Sequence, residues 1–110
     1  MTTLFINGEH VPASGGQKIA VYSPVTGQAY AEIARGQPQD IDRAVAAARA
    51  ALNGQWGMFS ATERGRILVR IGNSVLAHIE ELAEIEAKDT GKPLALARKD
   101  IEALARYFEF

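Results

Sequence analysis

The sequence predicts an α+β chain in which short antiparallel strands, up to about residue 36, precede four helices within residues 37–110. Thr, Val, Ile, Tyr, Gly and Pro dominate before residue 37, whereas Ala, Leu, Ile, Glu and Arg dominate after it. Apolar residues in the second part recur every three or four positions, which is the spacing of an amphipathic helix. We therefore expect a strand region over residues 1–36 and a helical layer over residues 37–110.

Turn-forming residues separate the predicted strands. Residues 4–6 run into Asn7-Gly8, a pair that tolerates positive φ at both central positions of a tight turn. Residues 18–22 and 29–34 are predicted as two further strands, joined by the turn Ser-Pro-Val-Thr-Gly at residues 23–27. Three such strands predict one small antiparallel sheet, which at this size needs helices packed against it.

The first two helices have recognisable start signals. Pro38 suits the first turn of a helix, and Asn53-Gly54 ends the apolar repeat that follows it. This repeat consists of Ile41, Val45, Ala48 and Leu52. Ser60 and Glu63 form a capping-box pattern that opens the second helix. The apolar face of that helix is expected to contain Ile67, Leu68, Ile71, Val75 and Ile79.

The stretch KDTGKP separates the last two helices. The third helix, with Leu82 and Ile85, is predicted to stop at Gly91 as a left-handed C-cap, with Lys92 favoured by the negative end of the helix dipole. Pro93 is predicted as the first residue of the fourth helix. The stripe of that helix is Leu94, Ala97, Ile101, Leu104 and Phe108. A phosphate loop is not expected, because a proline follows the lysine and no glycine stands five residues before Gly91.

The amino-acid composition of the chain argues against several classes of function. Lys and Arg number 12 against 13 Asp and Glu, and this balance argues against a nucleic acid or an anionic membrane as partner. The first ten residues have no signal-peptide pattern, and no apolar run approaches the roughly 18 residues of a bilayer span, so a cytoplasmic location is predicted. The chain has no cysteine, which excludes a thiol nucleophile, a disulfide and a thiolate zinc site within it.

Asp89 is the residue that the helix pattern explains least well. A carboxylate near a helix C-terminus meets the negative end of the dipole, so a nearby Arg or Lys or a bound cation would compensate it. A simple exposed or salt-bridged aspartate is the plainer interpretation. At the other end of the last helix, Tyr107, Phe108 and Phe110 form an aromatic cluster that predicts a surface for a partner and an unfinished helix. No catalytic residue set is evident in the chain.

Taken in order, the landmarks resemble the N-terminal part of the NAD(P)-dependent aldehyde dehydrogenase superfamily. The matching pieces are LFINGEHV (4–11), VYSPVTGQ (21–28), DIDRAVAAARAAL (40–52), Trp56, ERGRIL (63–68), ELAEIEAKDTGKPL (81–94) and DIEALARYFEF (100–110). Each piece alone is weak, but the ordered series covers the chain without a gap. The resemblance implies an α/β parent fold with a Rossmann-like cofactor domain, to which this α+β segment contributes the N-terminal part.

The resemblance also implies an activity for the parent enzyme. Family members oxidise aldehydes to carboxylic acids with NAD or NADP, using a cysteine nucleophile, a glutamate that activates water, and an Asn with a backbone N–H as the oxyanion hole. Those groups lie downstream in the family, so this segment is expected to hold no catalytic and no cofactor-binding residue and to be inactive alone. The implied partners are the remainder of the enzyme chain, the aldehyde and further copies in a homodimer or homotetramer. The aldehyde (betaine aldehyde, aromatic or aliphatic) and the choice between NAD and NADP stay open.

One metal site is carried over from the resemblance. Many members hold a monovalent cation, K⁺ or Na⁺, with main-chain oxygens of the strand before an Asn-Pro pair and with the Asp of DTGK; the matching positions are Val21, Tyr22 and Asp89. The family's Asn before Pro24 is Ser23 in this chain, which bears on the geometry of the turn. Because the final helix leads toward the substrate entrance in the family, Tyr107 is expected to help shape it.

A second hypothesis keeps the chain non-catalytic. In it, the 110 residues are a short remnant that binds a helical partner or a second copy through an exposed apolar stripe. The two hypotheses differ in the coding frame after Phe110, which should continue to a cysteine nucleophile and a glutamate only under the first.

Overall fold

The predicted order of strands before helices is confirmed by the structure, a computed structural model that describes residues 3–109. Its elements are β1 (Leu4–Ile6), β2 (Glu9–Val11), β3 (Lys18–Tyr22), β4 (Ala29–Ala34), α1 (Pro38–Asn53), α2 (Gln55–Met58), α3 (Ala61–Ala77), α4 (Ile79–Thr90) and α5 (Leu94–Tyr107). Four of the helices are the predicted ones, and α2 is a single additional turn. Phe110, predicted to belong to the terminal aromatic cluster, lies outside the described residues.

The strands form two separate antiparallel hairpins, so the prediction of one sheet with three strands is wrong. β1 pairs with β2, and the predicted tight turn between them has φ of 55° at Asn7 and 81° at Gly8. β3 pairs with β4, with a register irregularity between Val21 and Tyr22. The sequence pattern misses β2 because Glu9–Val11 is too short to show alternation; it pairs because the turn folds it directly back onto β1.

The chain divides into two compact units. The first contains Met1–Tyr22 and Ala29–Met58, and the second contains Ser23–Gln28 and Phe59–Phe110. In the first unit, Leu4 of β1 reaches the start of α1, since a Cβ on Gly36 would lie 3.8 Å from the Leu4 methyl groups.

Helices α3, α4 and α5 of the second unit pack around a core of small side chains. Ala83, Ala97 and Ile101 form the buried cluster, and the residues packed against it are Val75, Ile79, Leu82, Ala87 and Leu94. Alanine at the contact positions lets the helix backbones approach closely. The predicted stripe of α5 is therefore largely correct, although Leu104 stays 40% exposed.

Local capping signals set most helix ends. Ser60 Oγ accepts the Glu63 N–H at 3.2 Å, and Glu63 Oε2 accepts the Ser60 N–H at 2.7 Å, which is the predicted capping box of α3. Ile79 was expected on the face of this helix, but it begins α4, because His78 leaves the helical conformation (φ −116°, ψ 24°). Pro93 precedes α5 as its N-cap instead of forming its first turn.

None of the helices between residues 3 and 109 has both the length and the apolar character needed to cross a bilayer.

Candidate functional site

The junction between α4 and α5, residues 89–93, is held by local polar contacts; we call it the elbow. Gly91 has a left-handed φ of 76° and donates its N–H to Ala87 O at 2.9 Å, so the predicted C-cap is confirmed. Thr90 Oγ1 donates to Glu86 O at 2.7 Å, which satisfies another carbonyl at the end of α4.

Lys92 connects the two helices at the elbow. Its Nζ lies 2.7 Å from Asp100 Oδ2 in α5 and 2.7 Å from Glu86 Oε1 in α4. Hydrogen bonds to Asp100 and then to Glu86 raise the pKa of Lys92 above its usual value. The side chain is 30% exposed, so both pairs are partly shielded from water. The lysine acts as a cross-link between α4 and α5 in addition to lying near the end of a helix dipole.

The elbow does not fit the phosphates of a dinucleotide. A phosphate site needs several free backbone N–H groups that converge ahead of a helix. Gly91 N–H is donated to α4, Pro93 has no N–H, and the Lys92 ammonium is held by two carboxylates. The sequence KDTGKP therefore forms a junction between two helices and not a phosphate-binding loop.

The turn Ser23–Gln28 belongs to the same unit and packs on the elbow. A Cβ on Gly91 would lie 3.1 Å from Pro24 Cγ, so glycine allows both the left-handed backbone and this close approach. Ser23 Oγ accepts the N–H groups of Val25 at 3.3 Å and Thr26 at 3.4 Å. Ser23 stands where the resemblance leads us to expect Asn, and its side-chain oxygen closes the turn.

The three residues predicted for a cation are divided between the two compact units. Val21 and Tyr22 lie in β3 of the first unit, at its register irregularity, and Tyr22 is 61% exposed. Asp89 is exposed in the last turn of α4, in the second unit. The monovalent cation site stays a prediction. Among residues 3–109, no three His, Cys, Asp or Glu side chains are grouped so that they could hold a metal ion.

A second ion pair joins α4 to α5 away from the elbow. Arg98 Nε donates to Glu80 at 2.9 and 3.0 Å, and its Nη2 donates to Glu80 Oε2 at 2.7 Å. The hydrogen bond from Arg98 lowers the pKa of Glu80. Both side chains are exposed, so the pair contributes little to stability.

Asp40 is a buried carboxylate that the sequence pattern did not single out. It is 1% exposed and accepts hydrogen bonds from Ser14 Oγ at 2.5 Å, Gln37 N–H at 2.9 Å and Ser14 N–H at 3.0 Å. These bonds, the Ser14 hydroxyl first, lower the pKa of Asp40. The local signal was its third position in α1, where a capping-box acid is common. Its role is to tie the loop before β3 to the start of α1.

Large apolar side chains are exposed in both units. The predicted repeat of α1 is exposed, with Ile41 at 59%, Val45 at 45% and Leu52 at 64%. In the second unit, Ile85 is 59% exposed and Leu96 is 51% exposed. Surfaces of this kind usually mark contacts with another protein segment, because scattered single residues would not repeat along one helix face.

We expect the isolated 110-residue chain to bind a hydrophobic dye and to self-associate, because its helix faces expose apolar side chains. Dye fluorescence and sedimentation would measure both properties. A variant with Ile41→Gln and Leu52→Gln should bind less dye, whereas Asp42→Asn, a polar change on the same helix, should bind as much as the original chain. A monomeric chain with a sharp cooperative melt and no dye binding would contradict the expectation.

Solved aldehyde dehydrogenases contain the same arrangement of hairpins and helices. A structure assigned as an aldehyde dehydrogenase from Burkholderia cenocepacia superposes with a TM-score of 0.93 at 57% identity, over 96% of this chain and 22% of that one. The NAD⁺ complex of an aldehyde dehydrogenase from Bacillus cereus superposes with a TM-score of 0.93 at 38% identity, over 98% of this chain and 22% of that one. The fold is that of a segment of an aldehyde dehydrogenase.

Sequence comparison leads to the same family. Residues 10–110 match the aldehyde dehydrogenase family. An aldehyde dehydrogenase-like protein of Schizosaccharomyces pombe is 41% identical over 109 residues, which are 97% of this chain and 22% of that protein. The chain belongs to the aldehyde dehydrogenase family and matches an N-terminal segment of its members. It spans about a fifth of the length of these relatives.

Proposed function

We propose that the chain is the N-terminal portion of an NAD(P)-dependent aldehyde dehydrogenase that oxidises an aldehyde to a carboxylic acid. The observation that carries the proposal is the family match over residues 10–110 in a chain that spans only 22% of its relatives. The NAD⁺ complex of the Bacillus cereus relative supports a nicotinamide cofactor for the parent.

Within the parent enzyme the segment has a structural role. It contributes no thiol nucleophile, because it has no cysteine, and its elbow has no free donors for a phosphate. Its exposed apolar residues, among them Ile85 and Leu96, are the surface that the remainder of the enzyme covers. A cytoplasmic enzyme that forms a homodimer or homotetramer remains part of the proposal, as does a bound K⁺ or Na⁺.

The test compares the product of the whole natural reading frame with the 110-residue chain. We expect the whole product to reduce NAD or NADP when an aldehyde is added, and the 110-residue chain to show no activity above background. Absorbance of the reduced nicotinamide would be followed with an aliphatic aldehyde, an aromatic aldehyde and betaine aldehyde, each with both cofactors. A variant of the whole product with alanine at its cysteine nucleophile is the matched control. This control variant must lose its activity. Activity in the 110-residue chain would refute the proposal that the catalytic groups lie outside it.

Exposure of the α1 repeat also favours the second hypothesis, a non-catalytic interaction module. A stop codon directly after Phe110, together with a cellular protein mass near 11.9 kDa, would support that hypothesis and exclude the enzyme. Reading the coding DNA therefore comes before the activity assay.

A further inference from the structure

We draw no further inference here: the strongest candidate, the outward surface patch of α5 on which Leu96 and Tyr107 are exposed, is an unpartnered helix face, and nothing in the structure shows what covers it.

Discussion

Gly72→Ala is expected to destabilise the second unit, although alanine is the better helix former. Gly72 is buried in α3, and a Cβ at this position would lie 2.8 Å from Ala105 O and 3.5 Å from Phe108 Cβ. The carbonyl belongs to the backbone of α5 and cannot rotate away, so the two helices must separate. Overpacking of this kind costs about 1–3 kcal/mol in the free energy of unfolding. Denaturant unfolding of the intact protein, with hydrogen exchange of α3 and α5 amides, would measure the loss.

Gly65→Ala is the matched control on the same helix. Apart from its chain neighbours and the nearby backbone of α3, a Cβ at Gly65 meets no heavy atom within 4 Å, so alanine there adds helix propensity without a clash. We expect Gly65→Ala to be neutral or to stabilise α3 by up to about 1 kcal/mol. The two variants should then differ by about 1–4 kcal/mol in the free energy of unfolding. Equal effects of the two substitutions would show that α3 and α5 are not in close contact at Gly72.

The helices could be predicted from the sequence because their signals are local. Ser60 and Glu63 are three residues apart and cap α3, and Gly91 ends α4 with the left-handed φ that glycine favours. The hairpins were harder to predict from the sequence, because β2 is defined by its pairing with β1 and not by its own composition. Periodicity also identified α1, but it could not show that Ile41 stays exposed within this chain.

The polar contacts were harder to predict because they join distant positions. Ser14 and Asp40 are 26 positions apart, and no spacing rule connects a loop serine with the third residue of a helix. Lys92 reaches Asp100 across the elbow only because α5 folds back along α4. A lysine after a helix-ending glycine predicts a favourable dipole contact, whereas its second carboxylate depends on the tertiary fold.

Asp40→Asn is expected to loosen the first unit at the start of α1. Two backbone N–H groups donate to Asp40 Oδ2 and the Ser14 hydroxyl donates to Oδ1. An asparagine can keep its oxygen on the two N–H groups and turn its NH₂ group to Ser14 Oγ, which then accepts, so the change removes the negative charge that strengthens all three bonds. Faster hydrogen exchange at Ser14 and Gln37 amides and a lower Tm would show the effect. Asp42→Asn, an exposed change two residues further along α1, should leave both measurements unchanged. Ser14→Ala should give an intermediate loss, since the Ser14 backbone N–H still donates to Asp40.

The pH dependence of the Asp40 effect separates the charge from the shape of the side chain. The hydrogen bonds lower the pKa of Asp40 in the folded state, so its stabilising contribution is complete above the unfolded value of about 3.9. That contribution is lost as the pH falls through the lower pKa of the folded state. Asparagine does not titrate, so the difference in stability between wild type and Asp40→Asn should be largest at neutral pH and should shrink in acid. The free energy of unfolding of both proteins would be measured across this pH range. A difference between them that stayed constant would contradict a role for the Asp40 charge, because packing alone would then account for the lower stability of Asp40→Asn.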